Sequence, residues 1–117
     1  ATPKSAVTKI TLADAPEGGA TGFQVTYPGV DDSPSAPTVL YFHGGGTVSG
    51  SADAYVGHAY ELSRSTGVRV LTVNYRLSPE NPVRGSVEDA VRWYSHLTER
   101  VRYQDVVIAG ESAGGYI

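Results

Sequence analysis

Three stretches of the chain are apolar almost without interruption: Thr38–Phe42 (TVLYF), residues 68–73 (VRVLTV) and residues 106–109 (VVIA). A strand with water on one face alternates apolar and polar side chains. A continuous β-branched run fits a strand covered on both faces, as in a parallel sheet. Arg69 and Thr72 are the polar interruptions of the second run. Residues 6–13 alternate loosely, with Val7, Ile10 and Leu12 apolar, and residues 23–27 (FQVTY) form a second short run. These predict two further strands, antiparallel to one another across a turn at 14–22 that holds Pro16, Gly18, Gly19 and Gly22. Residues 28–37 carry Gly29, two aspartates and three prolines and predict a loop.

Two segments change period. Ala52, Tyr55, Val56, Ala59 and Leu62 recur at helical spacing, which predicts a helix over 52–65 with Gly67 as its stop. Val87, Ala90, Val91, Tyr94 and Leu97 do the same over 87–100. Ser86 followed by Asp89 resembles a capping box at the start of that second helix. Glu88 and Arg92 are spaced as a favourable ion pair along it. The element order is β-β-β-α-β-α-β. Alternating strands and helices after an initial hairpin predict an α/β fold, a mostly parallel sheet with helices on both faces.

Composition narrows the function classes. The 117 residues suffice for one small domain. The net charge of −3 and the lack of a basic run argue against a nucleic-acid partner. No apolar run approaches the ~18 residues of a membrane span. No signal-like apolar region opens the chain, which gives a cytoplasmic expectation. There is no cysteine, so disulfides and thiolate metal sites are excluded within these residues. No metal-ligand spacing is present, and no cofactor is expected.

Chemistry concentrates after two of the apolar runs. Gly110-Glu111-Ser112-Ala113-Gly114 is a G-x-S-x-G pentapeptide directly behind the run at 106–109. These letters also arise by chance in glycine-rich loops, so the position is what counts. In a nucleophile elbow a tight strand-to-helix turn lifts a serine hydroxyl clear of the sheet, and small neighbours permit the close approach. His43-Gly44-Gly45-Gly46 follows Thr38–Phe42 in the same way. Three glycines leave amides unshielded, able to present several N–H donors to one negative oxygen. A phosphate loop is disfavoured because no G-K-[ST] follows. Both motifs fall at the C-terminal ends of predicted parallel strands, where α/β folds place their ligands. This pairing of a glycine loop with an elbow serine is a pattern already described for lipases and esterases.

A third segment joins them: Tyr75-Arg76-Leu77-Ser78-Pro79-Glu80-Asn81-Pro82, then Glu88-Asp89-Ala90. With these, the chain from about Thr38 onward resembles the hormone-sensitive-lipase-like, or bacterial type IV, carboxylesterases of the α/β-hydrolase fold. It departs from their pattern at Thr47, where a large apolar residue is usual, and at Val83 and Arg84, which replace an apolar-proline pair. The resemblance implies that residues 1–117 are the N-terminal half of a single hydrolase domain, incomplete beyond the elbow. It implies a serine esterase acting on small to medium acyl esters through an acyl-enzyme. Ser112 would be the nucleophile, and the amides of Gly45, Gly46 and Ala113 the oxyanion hole. His43, Gly44, Gly110, Glu111 and Gly114 would support the site, and residues 75–80 would brace it from below. The general-base histidine and its Asp or Glu partner would lie C-terminal to Ser112. The isolated fragment is therefore expected to be inactive.

Two other readings stay open. Plant gibberellin receptors resemble these esterases but hold a ligand without turning it over. Family relatives also include amide deacetylases. His58 and His96, within the predicted helices and away from both motifs, are expected to be partly exposed polar residues. Tyr55, Trp93 and Tyr94 are expected to pack against the sheet or its rim.

Overall fold

The structure is a computed structural model that describes residues 3–13, 15, 16, 19–43, 55–76 and 83–110, the side chains of 83 and 84 excepted. The strands are β1 (Val7–Thr11), β2 (Thr21–Val25), β3 (Thr38–Phe42), β4 (Arg69–Val73) and β5 (Val106–Gly110). The helices are α1 (Val56–Thr66) and α2 (Val83–Thr98). Short 3-10 turns at Lys4–Ala6 and Tyr103–Asp105 lead into β1 and β5.

The strands form one sheet in the order β1-β2-β4-β3-β5. β3 pairs in parallel with β4 on one side and β5 on the other, while β2 runs antiparallel to both β1 and β4. Among the described strands β2 alone therefore points the other way, in line with a mostly parallel sheet.

Strand geometry divides the apolar runs between two cores, because successive side chains point to opposite faces. Val39, Tyr41 and Val70 pack with Val25 against Ala59 of α1. Leu40, Phe42, Leu71 and Val73 pack against Ala90, Trp93 and Leu97 of α2. The chain steps from β3 to β4 in one direction and returns past β3 to reach β5. Crossovers of one hand that reverse direction place their helices on opposite faces. Each fully buried apolar side chain contributes roughly 1.5–3 kcal/mol relative to leaving it in water.

α1 ends as the sequence predicts. Gly67 takes a left-handed φ of 71°, and its N–H closes on the Ser63 carbonyl at 2.9 Å. Residues 52–54 of the predicted helix lie outside the described residues.

α2 differs from its prediction in three ways. It begins at Val83, so Ser86 and Asp89 lie inside the helix rather than at a cap. Both turn toward the segment after β4: Ser86 Oγ donates to the Arg76 carbonyl, and Asp89 accepts from Arg76. The Glu88–Arg92 pair is replaced by Glu88–Arg76 at 3.2 Å and Arg92–Asp89 at 2.7 Å. The buried stripe also rotates. Trp93 is fully buried, whereas Val87 and Val91 are 41% and 59% exposed. Asp89 binding to Arg76 and Trp93 Nε1 donating to Gly19 and Asn74 carbonyls fix this rotation. Hydrophobic spacing alone does not encode those bonds. β2 is shifted as well, starting at Thr21 rather than at Phe23, because Thr11 pairs with Thr21 and extends the hairpin.

Arg69 is the charged residue inside an apolar run. It is buried at the N-terminal end of β4 and fully engaged. Its Nε donates to Thr38 Oγ1 at 2.7 Å, and its terminal nitrogens donate to the carbonyls of Ser33, Pro34 and Ala36 at 2.8, 3.1 and 3.3 Å. The loop before β3 is thereby fastened beneath the sheet, at the end away from the two motifs.

Candidate active site

Register places the two motifs. In the parallel pair of β3 and β5, Phe42 stands opposite Gly110. His43 is the next residue after one, and Glu111 is next in sequence after the other. The glycine run and the serine pentapeptide thus leave the sheet from the same end of neighbouring strands. That end, where the chain order reverses about β3, is where open α/β sheets bind ligands. Of the residues of these two motifs, His43 and Gly110 are described; of the bracing loop, Tyr75 and Arg76 are, and residues 77–80 lie outside the described residues. Gly44, Gly45, Gly46, Glu111, Ser112, Ala113 and Gly114 lie outside the described residues.

His43 is 1% exposed. Its ring is stacked on Tyr75, with centroids 4.6 Å apart and planes 19° from parallel. Tyr55, just before α1, stacks with it at 5.6 Å and 17°. Phe42 meets Tyr75 edge-on at 6.3 Å. The hydroxyl of Tyr75 donates to the His43 carbonyl at 2.6 Å. Burial, and secondarily the neighbouring Tyr55, push the Tyr75 hydroxyl above its usual pKa, so it keeps the proton it donates.

Tyr75 lies two residues past β4, in a segment tied down on either side. The Asn74 N–H donates to Thr21 O at 2.9 Å, and the Asn74 carbonyl accepts from Trp93 Nε1 at 3.2 Å. The Arg76 N–H donates to Asp89 Oδ2 at 2.8 Å. The Arg76 side chain reaches the same carboxylate through Nε at 3.0 Å, and also Glu88 at 3.2 Å and the Gly85 carbonyl at 3.3 Å. The hydrogen bond to Asp89, more than any other contact, raises the Arg76 pKa above its already high ordinary value. Arg92 completes the cluster from the next turn of α2, at 2.7 Å from Asp89. Gly19 abuts the same carboxylate so closely that any Cβ there would overlap it.

The sequence singles out Tyr75 and Arg76 only as part of a bracing loop, and it misses Asp89 and Ser86 as their anchors. Arg76 and Asp89 are distant along the chain and on different elements, and no spacing rule joins them. Tyr55 is legible as helical periodicity but not as a partner of His43. His58 is exposed and lies 5.5 Å from the Tyr41 ring. His96 is part-buried and shares a 2.8 Å contact with Arg100. Among the described residues, no group of three or more His, Asp or Glu could hold a metal ion, and no helix is long and apolar enough to cross a membrane.

A family model of the alpha/beta hydrolase fold matches residues 39–117. The chain belongs to the α/β-hydrolase family. Esterase LipI of Mycobacterium tuberculosis is 39% identical over 95 residues, covering 77% of this chain and 30% of LipI. Probable carboxylesterase 6 of Arabidopsis thaliana is 37% identical over 92 residues, covering 69% of this chain and 27% of its own. Among solved structures, an esterase/lipase from an uncultured bacterium superposes with a TM-score of 0.82 at 32% identity, over 97% of this chain and 37% of that one. A hormone-sensitive lipase from a metagenome library superposes with a TM-score of 0.70 at 31% identity, over 97% of this chain and 36% of that one. Within the α/β hydrolases these matches are to esterases and a hormone-sensitive lipase, which the chain resembles in sequence and fold. It spans about a third of the length of the relatives it matches.

Proposed function

We propose that the protein of which these residues form a part is a serine carboxylesterase for small to medium acyl esters. The observation that carries this reading is the Phe42–Gly110 register, which starts the glycine run and the serine pentapeptide side by side. Oxyanion donors and a nucleophile have to converge on one carbonyl, and a start from neighbouring strand ends supports that reading. The esterase names of the relatives support the same class.

Ser112 Oγ attacks the ester carbonyl carbon, and a histidine C-terminal to Ser112 takes its proton. The carbonyl oxygen becomes an oxyanion, held by the amides of Gly45, Gly46 and Ala113. The tetrahedral intermediate collapses, the alcohol leaves with the proton from that histidine, and the acyl group stays on Ser112. Water then attacks the acyl-enzyme by the same route in reverse roles. An Asp or Glu orients the histidine. His43, Gly44, Gly110, Glu111 and Gly114 support the geometry, and no cofactor takes part.

The test is hydrolysis of p-nitrophenyl esters from acetate to dodecanoate by the full-length protein, beside Ser112→Ala. Turnover favouring the shorter chains, and lost by about a millionfold in the variant, is the expected result. A full-length protein that turns over neither ester nor amide but binds an ester analogue would overturn the assignment in favour of a ligand receptor. Faster cleavage of acetamides than of matched acetates would reassign it as a deacetylase.

A further inference from the structure

Three consecutive glycines have the freest backbone available to a chain. A loop that must hold amides in place for an oxyanion therefore has to be oriented from its ends. The described end is His43, and its carbonyl belongs to the peptide unit leading into the glycines. A peptide unit is planar, so fixing the direction of a carbonyl fixes the plane from which the chain continues. The Tyr75 hydroxyl supplies that fixed direction at 2.6 Å, and the stacked rings of Tyr75 and Tyr55 hold His43 against rotation.

Tyr75 is itself held by its neighbours. Both backbone polar groups of Arg76 are engaged by α2, the N–H by Asp89 and the carbonyl by Ser86. The backbone that carries Tyr75 is thus held by α2 through Arg76, independently of its stack on His43.

We infer that Tyr75, anchored by the Arg76–Asp89 pair, is a positioning residue for the oxyanion-stabilising glycine loop, acting through the His43 carbonyl. Tyr75 is buried, so its hydroxyl orients the loop without touching substrate. The inference rests on the esterase reading above. Acylation and deacylation both pass through an oxyanion. Loosening the loop slows the two steps together and leaves their ratio, and hence KM, nearly unchanged.

The experiment uses the full-length protein with p-nitrophenyl butyrate as substrate and butyl trifluoromethyl ketone as probe, since the ketone forms a tetrahedral oxyanion on a serine. Tyr75→Phe keeps the ring stack and removes only the hydroxyl. The expected result is a kcat lowered roughly 10- to 100-fold, an unchanged KM, and ketone affinity lowered by a similar factor. A loss of thermal stability alone, or a raised KM at unchanged kcat, would overturn the positioning role. Should Tyr75→Phe not yield folded protein, the same readouts on Ser86→Ala, which releases the Arg76 carbonyl that follows Tyr75, decide. Parallel losses of kcat and ketone affinity support the role, and an unchanged kcat overturns it. A wild-type protein without ester turnover would sink the esterase reading and this role together. An active wild type with an unaffected variant sinks this role alone.

Discussion

The buried carboxylate of Asp89 grips Arg76 twice, taking its backbone N–H at 2.8 Å and its Nε at 3.0 Å. A helix side chain thereby determines the course of the chain leaving β4. Arg92 lies on the same carboxylate, so two guanidinium groups share one buried acid.

Replacing Asp89 by Ala is expected to cost about 3–5 kcal/mol, because it strands a partly buried cation and an N–H donor. Urea unfolding of the full-length protein would measure it. Asp89→Asn keeps the shape and one acceptor oxygen, and is expected to cost less than Asp89→Ala. Equal losses for the two would show that the charge, rather than the hydrogen bonds, holds Arg76.

At the opposite end of the sheet, Arg69 joins β4 to the loop before β3. Burial is the largest influence on its pKa and lowers it, while Asp32 at 3.8 Å opposes that shift. Arg69→Met fits an apolar run but leaves the carbonyls of Ser33, Pro34 and Ala36 without this donor. A loss of about 1–3 kcal/mol is expected. Amide hydrogen exchange at Ala36, whose N–H bonds to Ser33 O at 3.0 Å, should quicken in the variant. Unaltered exchange there would refute the fastening role.

His96 gives a pH dependence whose sign follows from its surroundings. Desolvation first, and then the Arg100 charge, lower its pKa below 6.5. The 2.8 Å contact has Arg100 donating to Nε2, which requires that nitrogen to be unprotonated. The folded state therefore binds the proton less well than the unfolded state. Well above 6.5 His96 is neutral in both states and adds no pH dependence to stability. As pH falls below 6.5 the unfolded chain protonates first, and stability declines until the folded pKa is passed. Between about pH 7 and pH 5, His96→Gln should lose less stability than the wild type. A nuclear magnetic resonance titration of His96 with a midpoint above 6.5 would contradict this account.

β5 forms an edge of the described sheet, with Val107 and Ile108 60% and 58% exposed on opposite faces. Val87, Val91 and Ile108 share an apolar groove floored by Leu40 and Phe42. Unguarded apolar edges associate. The 117-residue piece by itself is expected to self-associate in sedimentation experiments and to show no Ser112-dependent ester turnover. A monomer with a sharp, reversible unfolding transition would overturn the first expectation, and measurable turnover the second.

Much of the fold is legible in the chain because it depends on neighbours in sequence. β3 matches its apolar run residue for residue, and β4 and β5 match theirs to within one. Gly67 stops α1 because the left-handed turn there suits a residue without a side chain. The two motifs begin where the apolar runs place them, His43 directly after β3 and Gly110 at the end of β5.

Other features depended on tertiary contacts. Val87 and Val91 satisfy the helical period as well as Trp93 does, yet Trp93 is buried and they are not. Periodicity marks a stripe, while the hydrogen bonds of Asp89 and Trp93 choose how the helix is turned. Ser86 and Asp89 carry the letters of a cap, but their partner is Arg76 across a crossover. The alignment of Phe42 with Gly110, the strand positions from which the two motifs start, arises from strand pairing. A local pattern records which residues avoid water. The partner across a sheet, or at the far end of a buried ion pair, is set only when distant segments meet in three dimensions.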